Sequence, residues 1–264
     1  MTQFLGLTKP IVAMVHFPPL PGSPLYEPKG GMAAIVEHAA RDIEALQAGG
    51  VDALMFGNEG DRPYVLHAAP EALAAMAAAI GELKPLLKVP FGVNYLWDPV
   101  ASVGLAAATG ASFAREIFTG LYASDMGLWE PRCAEALRLR ACLGRPDIQL
   151  LYNVNAEFAT SLDTRPVEVR ARSAVFSSLA DVLCVSGPMT GQGVELTDLE
   201  RVKAAVGDVP VLANTGVRID TVEAILKQVD GCVVGTHFKR GGDTWAPVDG
   251  ERVARFMDFV RRIR

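Results

Sequence analysis

Eight times along this chain a short, nearly unbroken apolar run rich in β-branched residues is bounded by turn residues: 11–16, 51–57, 89–95, 111–117, 148–153, 181–186, 209–214 and 231–235. A strand with one wet face alternates apolar and polar residues. Unbroken apolar runs belong to strands covered on both faces, as parallel strands under helices are. Helical periodicity fills the gaps. Residues 33–48 put Ile35, Ala39, Ile43 and Leu46 on one face, and 131–143, 167–179, 196–205, 221–228 and 252–262 behave alike. Thr197 and Asp220 stand where N-caps belong, and Gly49-Gly50, Gly110 and Gly144 where helices stop. With no linker or low-complexity stretch, residues 1–264 read as one domain, a single (β/α)8 TIM barrel. A doubly wound open sheet is the rival, but no Gly-x-Gly-x-x-Gly follows the first run.

Half of the residues are apolar, ample for such a core, and the net charge of −5 comes without blocks of like charge. That argues against a nucleic-acid or acidic-membrane partner; Arg261, Arg262 and Arg264 complement a helix C-terminus. Cys133, Cys142, Cys184 and Cys232 have neither Cys-x-x-Cys nor zinc spacing, so reduced, largely buried thiols in a cytoplasmic protein are expected. Met1 to Thr8 lacks the basic and apolar parts of a leader, and no window is apolar enough for a membrane span; the Ala-rich stretch 68–80 is short and broken by Pro70 and Glu71.

The last two runs end in small polar clusters, Asn214-Thr215-Gly216-Val217 and Gly235-Thr236. On a barrel this predicts a phosphate-binding site after strands 7 and 8, gripped by the amides of Gly187, Gly216, Val217, Gly235 and Thr236. Hydrogen bonds to charged groups contribute roughly 1.5–3 kcal/mol each, so three or four of them would dominate binding of a sugar phosphate. The same clusters also suit plain turns.

Other strand ends are polar as well. His16, Glu59, Asp61, Arg115, Asp125 and Glu157 are the candidates for acid/base and anion chemistry, and Asn58, Asn94, Asn153, Asn155, Ser186 and Asn214 for substrate hydrogen bonds. Each has a bland alternative, since barrel mouths need polar caps. Arg115 and Glu116 are adjacent on a strand, so only one is expected to face the axis, and Arg115 is favoured. Clustered carboxylates would raise each other's pKa or recruit a divalent cation such as magnesium, though no metal-binding spacing is present and no obligatory cofactor is implied. A Schiff-base lysine is disfavoured because Lys239 lies past strand 8 and Lys88 before strand 3. The proline-dense stretch His16-Phe-Pro-Pro-Leu-Pro-Gly-Ser-Pro-Leu-Tyr-Glu-Pro28 cannot be helix and is expected as a rim or lid on the catalytic face, or as a rigid connector.

Taken together, Met14-Val-His16-Phe-Pro-Pro-Leu-Pro-Gly-Ser-Pro24, Gly50-Val-Asp52, Asn94 with Asp98-Pro99, Arg115-Glu-Ile-Phe-Thr-Gly120, Ser186-Gly-Pro-Met-Thr-Gly191, Asn214-Thr-Gly216, Asp230-Gly-Cys-Val-Val-Gly-Thr-His-Phe-Lys239 and Pro247-Val-Asp249 resemble the BtpA (BtpA/SgcQ) family of ribulose-phosphate-binding-type barrels, along nearly the whole chain. The resemblance implies the barrel fold. It also implies one of two roles: photosystem I biogenesis, as for the cyanobacterial namesake, or a cytosolic part in sugar utilisation, as for SgcQ-like members. Gly57-Asn58 stands where a Glu-Asn pair is expected in the photosystem branch, and Asn155-Ala-Glu157 where Lys-His is expected, which favours the SgcQ-like branch.

Two functions follow. The leading one is an isomerase, epimerase or lyase of carbohydrate metabolism working on a small phosphorylated metabolite, with a nucleoside- or glycoside-cleaving enzyme as a variant. The other is a non-catalytic assembly or regulatory factor. A homo-oligomer is expected, with Trp129 and the Ala-rich helix 68–87 as a contact face, although both also suit packing on the barrel.

Overall fold

The computed structural model describes residues 3–264; Met1 and Thr2, the start of the stretch read for a leader, lie outside the described residues. In chain order the elements are β1 (Ile11–His16), α1 (Gly31–Gly49), β2 (Ala53–Gly57), α2 (Pro70–Leu83), β3 (Phe91–Asn94), α3 (Pro99–Thr109), β4 (Phe113–Glu116), β5 (Tyr122–Ser124), β6 (Gly127–Trp129) and α4 (Cys133–Cys142). There follow β7 (Gln149–Asn153), β8 (Ala159–Ser161), α5 (Val167–Ser178), β9 (Val182–Val185), α6 (Leu196–Val206), β10 (Val211–Ala213), α7 (Val222–Gln228), β11 (Gly231–Val234) and α8 (Gly250–Ile263). The barrel closes in the order β1-β11-β10-β9-β7-β4-β3-β2 with every pair parallel. All eight apolar runs are its strands, each inside its expected bounds; β10 and β11 are the seventh and eighth.

The two-residue period of the strands sorts the side chains. On β1, Ile11, Ala13 and Val15 pack outward under the helices, while Val12 and Met14 point inward. The lumen is filled from its N-terminal end by Phe4, Val12, Met14, Ala53, Met55, Phe113, Leu151, Val182, Cys184, Leu212 and Val233. Phe4, from the segment before β1, plugs that end with its ring edge-on to Phe113 at 5.1 Å. One inward step further along each strand, apolar side chains give way to His16, Gly57, Asn94, Arg115, Asn153, Ser186, Asn214 and Gly235. The register agrees: His16 pairs with Gly57, which pairs with Asn94.

Several elements differ from the sequence reading. Helix α3 has no amphipathic stripe, because Ala101, Ser102, Val103, Leu105 and Ala106 are all buried; its signal is the cap, Asp98, whose carboxylate accepts from the amides of Val100 and Ala101. Strands β5, β6 and β8 form a small antiparallel sheet over the C-terminal face, too short to show periodicity. Thr197 lies inside α6, which Glu195 precedes, and Asp220 pairs with Arg218 while Thr221 takes the position before α7. Trp129 offers no contact face: it is buried against Trp97 and Tyr122. Cys184 and Cys232 are buried within strands. No described helix is long and apolar enough to cross a membrane.

Candidate functional site

The polar layer floors a cavity of about 40 Å³ at the barrel mouth. His16, Arg115, Asn214 and Gly235 line it from the strand ends, Glu59, Glu157, Thr190, Thr215, Gly216 and Thr236 from the loops. Two glycines make the floor possible. A Cβ on Gly57 would lie 2.4 Å from the Glu59 carboxylate, and one on Gly235 would lie 3.2 Å from the His16 ring.

Arg115 dominates the floor. It is buried, and no carboxylate lies within 4.0 Å of it among the described residues. Its partners are neutral: Nη1 donates to Asn214 Oδ1 at 2.7 Å, Nη2 donates to Asn94 Oδ1, and Nε has no acceptor. A buried guanidinium held by amides, with no carboxylate in direct contact, is prepared for an anion or a developing negative charge. Glu116, the other half of the pair, does not reach the cavity; Asn94 Nδ2 and the Ile117 amide hold it, and burial raises its pKa to about 8.

Two carboxyl groups and one imidazole share this cavity. Burial pushes Glu59 up to about 7 against the pull of Arg115, and Glu157 adds to the rise. Burial raises Glu157 too, opposed by Arg115 and by hydrogen bonds from Thr190 and Ser186. His16 is held well below its ordinary range by burial and by the charge of Lys239. Its Nε2 lies 3.6 Å from Glu59 Oε1, while His16 Nδ1 and Glu59 Oε2 have no partner. Glu157 accepts from Thr190 Oγ1 at 3.1 Å and faces Asn214 Nδ2 at 3.4 Å. Ser186 Oγ accepts from Asn214 at 2.7 Å and is 3.4 Å from Asn153 Nδ2; Asn153 Oδ1 has no donor.

Other expected site residues are occupied in holding the scaffold. Asp61 accepts from the Leu20 amide and from Asn58 Nδ2, tying the proline-dense loop to the loop after β2. Asn58 Oδ1 accepts from the Leu96 amide. Asn155 clasps the backbone of Ser186 in both directions. Asp125 is exposed at the β5–β6 turn and does not line the cavity. The Gly187 amide donates to Thr215 Oγ1, so it is not free for a phosphate.

Beside the mouth a second compartment of about 160 Å³ lies over the loops after β10 and β11. Gly216, Val217, Gly235 and Thr236 line it, joined by Arg218, His237 and Arg252. The amides of Gly216 and Val217 have no backbone acceptor among the described residues. Arg252 Nε donates to the His237 carbonyl at 2.8 Å, and burial with the nearby Arg252 charge lowers His237 to about 4. Helix α7 is only seven residues long, so loop amides and arginines, not a helix dipole, make this compartment cationic.

Sequence reasoning missed the apolar wall of the mouth, Tyr64, Leu96 and Trp97, which packs against the small sheet. The only hint was that Leu96-Trp97 follow closely after Asn94. It also missed Arg252, which α8 brings in from far along the chain. Among the described residues no three His, Cys, Asp or Glu side chains gather in a metal-holding cluster.

The BtpA family model matches residues 7–262. The putative sgc region protein SgcQ of Escherichia coli is 46% identical over 264 residues, covering 100% of this chain and 98% of that protein. The photosystem I biogenesis protein BtpA of Synechocystis is 31% identical over 254 residues, covering 95% and 88%. Among solved structures, (S)-3-O-geranylgeranylglyceryl phosphate synthase from Thermoplasma acidophilum, in complex with sn-glycerol-1-phosphate, superposes with a TM-score of 0.60 at 17% identity over 100% of both chains. Phosphoribosyl anthranilate isomerase from Thermus thermophilus gives 0.57 at 14%, covering 97% and 100%. At such identities these two share the fold alone.

Proposed function

The chain belongs to the BtpA family, and from that premise we propose that it is an enzyme of carbohydrate metabolism, an isomerase, epimerase or lyase using acid/base chemistry on a small phosphorylated sugar or related metabolite. The observation that carries this reading is Arg115: a buried guanidinium with neutral partners, flanked by two carboxyl groups whose pKa values burial raises. A scaffold protein has no use for so costly an arrangement.

In this reading the phosphate rests in the side compartment, against the Gly216 and Val217 amides, Arg218 and Arg252. The Gly187 amide plays no part. The reacting carbons then lie over the mouth, and Arg115 holds the substrate carbonyl. One carboxylate removes a proton from the carbon next to that carbonyl, and the electrons move onto the oxygen, where Arg115 stabilises the charge. If the adjacent hydroxyl gives its proton to the former carbonyl oxygen and forms the new carbonyl as the first proton returns to the former carbonyl carbon, an isomerisation is complete; returning a proton to the opposite face of the original carbon as the first carbonyl re-forms completes an epimerisation. Glu59 near 7 suits the task, because a proton carrier works best with a pKa near the ambient pH.

Metabolite pockets run to about 300 Å³ or more, and the mouth has about 40 Å³. The backbone of Gln192 and Gly193 lies so close over Gly216 that a Cβ there would sit 2.2 Å from it. Substrate entry therefore requires the loop after β9 to lift.

The test is thermal unfolding with sugar phosphates, their dephosphorylated counterparts and inorganic phosphate. At about 100 times its dissociation constant a ligand adds about 2.7 kcal/mol, a rise of about 5 °C or more for a chain this size. The expected result is a rise with phosphorylated sugars only, lost in Arg115→Met, which keeps side-chain length without the charge. If no phosphorylated compound moves the midpoint, the reading is wrong.

A further inference from the structure

His16 is the one residue that lines both the mouth and a second cavity of about 250 Å³ behind it. That rear cavity runs between the proline-dense loop, α1 and the loop after β11, with His38, Lys239, Thr244 and Ala246 in its wall and Arg62 stacked on Trp245, 3.6 Å above the ring centre, at its rim. Phe17, Pro18 and Pro19 make one side of the wall apolar, and the polar groups His16, His38, Lys239 and Thr244 interrupt it. Lys239 is buried and donates to Asp42 at 2.6 Å, its one acceptor among the described residues, although an ammonium carries three donors. Asp42 also accepts from the Val248 amide and lies 3.7 Å from His38 Nε2. His38 keeps about a quarter of its side chain exposed, so the polar chain reaches the surface. A cavity of this size has room for waters where polar groups converge, as they do at His16, His38, Lys239 and Thr244, each water needing about 10–15 Å³ and two or more polar partners.

We propose that water and protons reach His16 through this rear cavity and not through the mouth, so that the acid/base pair His16–Glu59 exchanges protons with solvent while substrate fills the mouth. The geometry on each side of the ring carries the inference. Nε2 faces Glu59 Oε1, whereas Nδ1 is buried without a well-formed hydrogen bond, and the ring's other hydrogen-bonding neighbour is the Thr244 backbone in the wall of the rear cavity. An imidazole with a free nitrogen beside a hydrated cavity satisfies that nitrogen with water.

The transfer balances. Glu59 gives its proton to Nε2 as the O–H bond breaks and an N–H bond forms. The imidazolium then releases the Nδ1 proton to a cavity water, which passes it outward past His38, and the reverse sequence recharges Glu59. The 3.6 Å gap closes by a small side-chain adjustment, as catalytic hydrogen bonds do on ligand binding. Lys239, Asp42, His38 and Arg62 are the charged and titratable groups around the path. The proposal rests on the acid/base reading above, but its test needs no substrate.

The measurement is exchange of the His16 imidazole Cε1 hydrogen in D₂O, allowed to proceed in the folded chain and read by mass spectrometry of its peptides after digestion, with exposed His67 as internal reference. Filling the rear cavity with Ala246→Phe is expected to slow His16 by about tenfold or more and leave His67 unchanged. Ala246→Leu, a smaller plug at a half-buried position, is expected to do the same in lesser degree and serves if the first variant does not fold. Filling the mouth with Thr190→Leu is expected to leave the His16 rate as it was. The proposal is overturned if a folded Ala246 variant exchanges at the wild-type rate, or if Thr190→Leu slows His16 as much as the rear plug does. A failed sugar-phosphate panel would leave these rates untouched, so the two readings fall separately.

Discussion

The two ends of the barrel lumen are built from the same eight strands and obey opposite rules. At the N-terminal end the inward side chains are apolar, from Phe4 and Phe113 to Val233, except for Gln149 at the rim, whose Oε1 accepts from the Leu5 amide. Two residues along each strand, the inward positions become His16, Asn94, Arg115, Asn153, Ser186 and Asn214, and three of these leave a buried nitrogen or oxygen unpaired. Unpaired buried polar groups cost roughly 1–3 kcal/mol each. One end lowers the free energy of the fold, and the other holds groups in a state that a ligand would relieve. The comparison separates stability from function by depth along a strand.

The largest effect expected from this contrast lies at the apolar end. Phe4→Ala removes the plug and leaves a cavity under Phe113, which should lower unfolding stability by about 4 kcal/mol in urea titration. The ligand response of the mouth should survive in the fraction that stays folded. Loss of the ligand response at temperatures where Phe4→Ala is fully folded would break the separation.

At the polar end the expected sign reverses. Glu59 sits near 7 in the folded chain against an ordinary 4.5, chiefly through burial. The unfolded carboxyl ionises above pH 4.5 while the folded one keeps its proton to about 7, so the fold is free of this penalty below pH 4.5, loses stability as the pH rises from there, and carries the full loss above 7. Glu59→Gln removes the titration, so relative to wild type it should gain about 2 kcal/mol between pH 5 and pH 8. Urea midpoints at the two pH values check this; an equal difference at both would mean that Glu59 ionises freely in the folded chain. A gain in stability with a loss of turnover is the usual mark of a residue kept for chemistry.

These contrasts were only partly legible in the sequence. The eight strands were, because unbroken β-branched runs have one economical use, and the inward layer follows from a period of two once the strand ends are fixed. Arg115 and not Glu116 reaching the cavity follows from the same alternation. What a residue type does at the mouth was not legible, since Asn58, Asp61, Asn155 and Gly187 look no different from Asn214 or Glu157 until amides of other loops, or for Gly187 the Thr215 hydroxyl, are seen to engage them. Nor could one sequence show Arg252 lining the same compartment as Gly216, because that arrangement depends on closing the barrel. Helix α3 escaped because a helix buried on all sides carries no periodic signal.

The smallest effect sharpens the comparison most, because it separates the side compartment from the floor of the mouth. Arg218 is half-exposed and already paired with Asp220, two residues on, through contacts of 3.0 Å from Nε and Nη2. Such a pair is well screened by water and salt, so Arg218→Ala should leave the thermal midpoint of the free chain unchanged. Its guanidinium lines the same compartment as the Gly216 amide, so a phosphorylated ligand should bind about threefold more weakly at low salt, with the difference fading as ionic strength rises. Asp220→Ala should act the other way, because it frees Arg218 for the ligand while leaving Arg252 in place. Calorimetric titration at two salt concentrations reads both variants. If neither changes affinity, while Arg115→Met abolishes binding, then the anion is recognised wholly at the mouth, and the loops after β10 and β11 are turns that shape the opening without gripping what enters it.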